Sequence, residues 1–131
     1  DAFFDESETT DGITVRVVTN FLEDQSVPAQ ARWFWSYHIR IENHRDDPVQ
    51  LLSRHWKITD GRGGISHVDG DGVVGEQPLL NPGNSHDYVS GCPLPTPSGM
   101  MEGHYRFIRV DGSTFLVEIP RFRLVAPATA R

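Results

Sequence analysis

Apolar residues along this chain recur with a period of two. In Trp33-Phe34-Trp35-Ser36-Tyr37-His38-Ile39-Arg40-Ile41-Glu42 the odd positions are Trp, Trp, Tyr, Ile and Ile, and the even ones turn polar after Phe34. Successive side chains of a strand point to opposite faces, so this alternation predicts a half-buried strand whose odd face meets the core. From Leu51 to Thr59 the apolar residues Leu52, Trp56 and Ile58 share the even parity, and Arg54 intrudes on that face. Ile13 to Phe21, Asp87 to Ser90, Tyr105 to Val110 and Thr114 to Ile119 are further strand candidates, rich in the β-branched and aromatic residues that suit a pleated surface. No segment carries the apolar period of an amphipathic helix.

Turn signals separate these runs at Asp46-Asp47-Pro48, Asp60-Gly61-Arg62-Gly63-Gly64, Asn81-Pro82-Gly83 and Asp111-Gly112. Asp111-Gly112, between "YRFIRV" and "STFLVEI", is the pair favoured in type I′ hairpins, which need positive φ at both central residues. Short strands with frequent turns and no helices predict an all-β antiparallel sandwich, two sheets sharing one core. Pro120, within "VEIPRFRL", cannot donate to a ladder and marks an edge position or a bend. The 131 residues suit a single domain, large enough to bury roughly two-thirds of its unfolded surface.

Charge changes the picture at the ends. The first eleven residues hold Asp1, Asp5, Glu6, Glu8 and Asp11 without a Lys or Arg, whereas positions 12 to 131 balance 12 basic against 13 acidic residues. Residues 1–11 are therefore expected to form a flexible acidic arm, whose Phe3 and Phe4 could dock on the body; residues 12–125 are the sandwich and 126–131 a tail. A net charge of -6 argues against nucleic acid as a partner, since such affinity comes largely from Lys and Arg on phosphates. No apolar run approaches the ~18 residues of a membrane span, and the opening residues lack the basic and apolar regions of a signal peptide. Cys92 is the single cysteine, so no intrachain disulfide forms. A cytoplasmic protein that does not insert in membranes is expected.

Among motifs, Gly70-Asp71-Gly72-Val73-Val74-Gly75, "GDGVVG", fits the Gly-x-Gly-x-x-Gly pattern of dinucleotide sites. That pattern works when it opens a helix whose free N–H groups meet the pyrophosphate. Here Pro78 and Pro82-Gly83 follow too soon for a useful helix, leaving a glycine-shaped loop or an anion-binding nest of loop amides. Asp69 and Asp71 begin like a calcium loop, but Val73 and Leu80 stand where ligands are required; weak Mg²⁺ or Co²⁺ binding is the most these carboxylates allow. The six histidines form no His-x-His, His-x-x-His or His-x-x-x-His pair, and no resident cofactor is expected. Cys92 lacks a local activating His, and no nucleophile elbow or close carboxylate pair occurs, so no enzyme is expected. Arg54 must find carbonyls, a carboxylate or a bound anion: it is either a structural residue bonded to a loop or part of an anion or partner-peptide site.

The runs "ITVRVVTNFLEDQS", "YHIRIEN", "LLSRHWKITDG", "VDGDGVVGEQPLLNPG", "YVSGCPLPTPSGMMEGHYRF" and "VEIPRFRL" resemble, in order and spacing, the ApaG proteins of bacteria, whose domain also occurs in some eukaryotic F-box proteins. The resemblance covers most of the chain outside the acidic arm and the "APATAR" tail. It implies an immunoglobulin- or fibronectin-III-like sandwich, a genetic association with cobalt resistance and magnesium efflux, and a non-enzymatic protein-interaction role. It also brings a pyrophosphate or nucleotide proposal, carried here by Gly70, Gly72 and Gly75; Arg54, from the parity of its strand, is a further candidate for anion binding. A protein partner is expected, and an exposed edge strand allows a homodimer.

Overall fold

The computed structural model describes residues 3–131; the first two positions of the expected acidic arm lie outside the described residues. Among the described residues there are nine strands: β1 (Glu6–Thr10), β2 (Ile13–Phe21), β3 (Trp33–Asn43), β4 (Val49–Asp60), β5 (Ile65–Asp71), β6 (Leu79–Leu80), β7 (Ser85–Leu94), β8 (Ser98–Arg109) and β9 (Thr114–Val125). They form two antiparallel sheets, ordered β1-β2-β3-β7 and β5-β4-β8-β9, with β6 paired to β4. The alternation read in the sequence is met in β3, where every odd position is buried. Trp35, Ile39 and Ile41 from that face close on Leu51, Tyr105, Phe107, Val117 and Leu124 of the other sheet, making the sandwich core. Burial of each such side chain contributes roughly 1.5–3 kcal/mol, so this layer dominates the stability of the fold.

Pro120 lies in β9, an outer strand, at a register shift between Met101 and Gly103 of β8. Inward parity there changes from Val117 and Ile119 to Phe122 and Leu124, the bend that the proline signalled.

Three expectations are corrected. Residues 6–10, read as part of a flexible arm, form strand β1, paired along its length with β2. Their side chains are almost wholly exposed, so backbone hydrogen bonds rather than apolar burial hold them, and the composition gave no sign of it. Phe4 anchors the segment, 8% exposed, 5.2 Å from the His38 ring and under the Arg40 guanidinium at 5.1 Å. Second, the even parity read from Leu51 fails at its start. Leu51 is fully buried, and a β-bulge between Leu51 and Ser53 switches the inward face to Trp56. A bulge inserts one residue and reverses the alternation beyond it. Third, the type I′ turn is at Asp11-Gly12 (φ 48° and 80°), joining β1 to β2. At Asp111-Gly112 only the glycine has positive φ; Gly112 N–H donates to Arg109 C=O and Arg109 N–H to Ser113 C=O, a longer loop.

The C-terminal residues pack too. Ala126 is buried and donates to Pro97 C=O at 2.8 Å, and the Trp33 indole N–H donates to Ala130 C=O.

The two flanks of the sandwich differ. On one, β9 lies against β1 and β2, and Thr10 Oγ1 accepts the Glu118 N–H at 3.2 Å. On the other, β5 and β7 are the outer strands of their sheets, and every β5 residue except Gly70 is exposed.

Candidate functional site

The glycine motif spans the point where the chain leaves β5 and returns as β6 to the same edge of β4. The excursion sits opposite the bulge in β4: Gly72 N–H and the Gln77 side-chain amide both donate to Leu52 C=O, at 2.8 and 2.9 Å. Val73 and Glu76 exchange N–H···O=C bonds of 2.8 and 3.0 Å around Val74 (φ 48°) and Gly75 (φ 78°), a two-residue turn with positive φ at both centres. Val73 is fully buried and pins the loop to the core. Gly72 (φ 63°) is required sterically as well, because a Cβ there would stand 2.2 Å from the Glu76 carbonyl oxygen. Three loop amides, those of Gly72, Val73 and Glu76, are thus engaged by backbone carbonyls, and Gly75 stands at the tip of the turn.

Arg54 is brought to this loop by the pairing of β4 with β5. It lies opposite Gly70, where a Cβ would come within 2.8 Å of both terminal guanidinium nitrogens. The glycine thereby leaves room for Arg54 Nη1 to donate to the carbonyls of Asp71 and Gly72 at 3.0 and 2.9 Å. The structural reading of Arg54 is therefore realised, while the same side chain lines a cleft on each side of its sheet.

The larger cleft, about 590 Å³, opens between β5 and β7. Tyr37, Trp56, Ile58, Val68, Cys92 and Leu94 contribute its walls. Burial pushes the Cys92 thiol up to about 11, so it is protonated at neutral pH. Burial likewise raises the Tyr37 hydroxyl, against the opposing hydrogen bond from Ser90. Deeper in the core the Tyr88 and Tyr105 hydroxyls bond each other, and burial raises both, with the Arg54 charge acting in the opposite direction. The cleft therefore offers apolar walls, neutral hydroxyl and thiol groups, and a guanidinium.

The outer face of the five-stranded sheet carries groups that spacing along the chain had kept apart. Asp69, His55, His104 and Glu118 stand in one cross-strand row over β5, β4, β8 and β9. His55 Nδ1 is 2.6 Å from Asp69 Oδ1, and His55 Nε2 is 3.3 Å from His67 Nδ1. The His55 ring also lies 5.1 Å from His104 and 5.3 Å from His67, centroid to centroid. Asp71 shares the face with Asp69, but Asp69 is engaged by His55. Among the described residues no three His, Cys, Asp or Glu side chains converge as a metal-ligand set. The histidines escape a local motif search because His55 and His67 sit on neighbouring strands; a paired-strand register would have found them.

The ApaG domain family model matches residues 23–109. The chain is 53% identical over 122 residues to Protein ApaG of Mesorhizobium japonicum, covering 93% of this chain and 94% of that one. It is 51% identical over 122 residues to Protein ApaG of a Methylobacterium species, with the same coverage of 93% and 94%. The crystal structure of the putative ApaA protein from Bordetella pertussis superposes with a TM-score of 0.85 at 46% identity, covering 88% of this chain and 94% of that one. Among the described residues no helix is long and apolar enough to cross a membrane.

Proposed function

The chain belongs to the ApaG family, and we propose that it is a non-enzymatic binding module whose working surface is the open flank of the sandwich between β5 and β7. The observation that carries this reading is the cleft of about 590 Å³ bounded by two outer strands. An outer strand presents unpaired backbone N–H and C=O groups, to which an extended segment of a partner protein can add as a further strand. Alternate side chains of that segment would enter the cleft, apolar ones against Trp56, Ile58 and Val68 and an acidic one toward Arg54. The buried Val73 holds the end of β5 to the core, and a strand fixed beforehand lowers the ordering cost of binding. The protonated Cys92 thiol and Tyr37 hydroxyl support binding rather than turnover. We place the module in the cytoplasm, with its association with cobalt resistance and magnesium efflux running through the partner. A second copy of the chain pairing at the same edge would give a homodimer.

The second reading is a small-ligand site for pyrophosphate or a nucleotide at Gly70, Gly72, Gly75 and Arg54, or for Mg²⁺ or Co²⁺ at Asp69 and Asp71. What favours it is Arg54, which also borders a smaller cleft of about 400 Å³ beside Asp69, Asp71 and Arg106. What weighs against it is that the loop amides and the Arg54 Nη1 group already have backbone partners.

Titration of the ¹⁵N-labelled chain separates the two. An extended peptide selected from a display library is expected to shift amides of β5 and β7 and to lose binding in Val68→Arg. Shifts confined to residues 69–75 with millimolar pyrophosphate or Mg²⁺ favour the second reading. Selected peptides that shift only the outer face of β2 and β3 would refute the first.

A further inference from the structure

We infer that His55 and His67 form a two-imidazole site for a divalent transition metal such as Cu²⁺ or Zn²⁺, on the outer face of the five-stranded sheet. This face is remote in role from the β5–β7 cleft, and the site does not depend on the binding-module reading.

The two ring nitrogens of His55 have different partners. A carboxylate accepts hydrogen bonds, so the contact of 2.6 Å between His55 Nδ1 and Asp69 Oδ1 places the ring proton on Nδ1 and leaves a lone pair on Nε2. Metal-binding histidines commonly have this arrangement, in which a carboxylate fixes the tautomer and raises the basicity of the opposite nitrogen. That nitrogen points at His67 Nδ1, 3.3 Å away. With metal–nitrogen bonds of ~2.05 Å, a nitrogen separation of 3.3 Å subtends roughly 107° at the metal, close to a tetrahedral angle. The separation thus lets both nitrogens reach one ion once the two rings turn to aim their lone pairs at it. To ligate, His67 carries its ring proton on Nε2 and leaves Nδ1 free.

The scaffold is already built. The pairing of His55 with Asp69 and of Lys57 with His67 sets the two imidazoles diagonally across the β4–β5 ladder. His104, inclined by 23° to the His55 ring on the opposite side from β5, braces it. Two protein nitrogens leave the other coordination positions to water or to a ligand from outside, so the site is open. Imidazole suits Zn²⁺ and Cu²⁺, whereas Mg²⁺ prefers oxygen, which distinguishes this site from any at Asp69 and Asp71 alone. Lys57 and Arg106 are nearby cations that the site must tolerate, and Asp69 and Asp71 on the same face offset them.

Cu²⁺ added substoichiometrically to the ¹⁵N-labelled full chain tests the site. Paramagnetic broadening is expected to remove the amides of His55, His67 and Asp69 first, and the frozen-solution EPR spectrum to carry hyperfine coupling from two imidazole nitrogens. His67→Ala, on an exposed outer strand, is expected to keep the fold, to reduce the spectrum to one nitrogen and to weaken Cu²⁺ binding at least tenfold. Asp69→Asn keeps both nitrogens and weakens binding about 10–100-fold. His44→Ala, on the other sheet, changes neither readout. Broadening centred on His38, His44 or His86, or unaltered Cu²⁺ affinity in His67→Ala, would overturn the assignment.

Discussion

The sandwich has one closed flank and one open flank, and they are made of unlike strands. Where β9 meets β1 and β2, the gap lined by Val17 and Phe122 is about 170 Å³, and Thr10 bonds to Glu118 across the seam. Where β5 and β7 end their sheets, the opening is about 590 Å³ and reaches down to Trp56 and Cys92. Neither β1 nor β5 has a buried face, so burial alone does not explain why one flank closes and the other does not. The difference is in what lies opposite. β1 extends its sheet until it meets β9, whereas β5 overhangs a sheet that stops at β7. Stability is thus concentrated in the layer between the sheets, while the flanks are free to carry function.

The largest test of that division is Phe122→Ala. Phe122 is 3% exposed and packs edge-on to Trp56, and its loss is expected to destabilise the fold by about 3–5 kcal/mol in urea denaturation. A loss below about 1 kcal/mol would show that the closed flank does not hold the sheets together.

The second test concerns Cys92, buried beneath the open flank. Its thiol moves from the ordinary 9.0 to about 11 on folding. Below pH 9 both states hold the proton and this stabilisation is complete; as pH rises from about 9 to about 11 the unfolded thiol ionises first and the stabilisation is lost, by about 2–3 kcal/mol. Tyr37, Tyr88 and Tyr105, also raised, add to the alkaline loss at higher pH. Denaturation midpoints between pH 8 and 11 should therefore fall more steeply in the parent than in Cys92→Ala; equal slopes would mean that water already reaches the thiol.

A smaller effect is expected at the turn beside the open flank. Val74 is a β-branched residue held at φ 48° with its side chain 61% exposed. Left-handed backbone costs most L-residues about 1–2 kcal/mol, and asparagine tolerates it, so Val74→Asn is expected to stabilise by about 1 kcal/mol. A destabilised variant would show that the valine side chain makes a contact worth more than the strain. The smallest thermodynamic effect is that of Val68→Ser, expected within about 0.5 kcal/mol of the parent because Val68 is 40% exposed. The same change should weaken binding of an extended peptide to the cleft, and unchanged binding would move the site elsewhere.

Much of the fold was legible because strand faces announce themselves locally. The odd face of β3, the span of β2 and the bend at Pro120 all follow from residue type and alternation. β1 was not legible, because its residues contribute backbone pairing and little burial; the Asp11-Gly12 turn signal was present but masked by the acidic composition around it. The parity of β4 was misread at Leu52, since a bulge leaves no mark in composition. Of the candidate site, Arg54 and the glycines were visible as an oddity and a motif, but their mutual role was not. Gly70 is small so that Arg54 can lie over it, and Gly72 is small because Glu76 C=O is close, neither of which concerns a phosphate.

By itself the sequence determined that this is a two-sheet β domain, with the inward face of β3 and most of the turn positions, because side-chain alternation and turn chemistry are properties of a few neighbouring residues; the longer motif runs carried the likeness to the ApaG family. Only the tertiary structure decided which strands end the sheets, where Arg54 finds its carbonyls, and that His55 meets both Asp69 and His67. Those contacts join residues 12 to 18 positions apart through strand register, and register is fixed by the packing of the whole sandwich rather than by any segment within it.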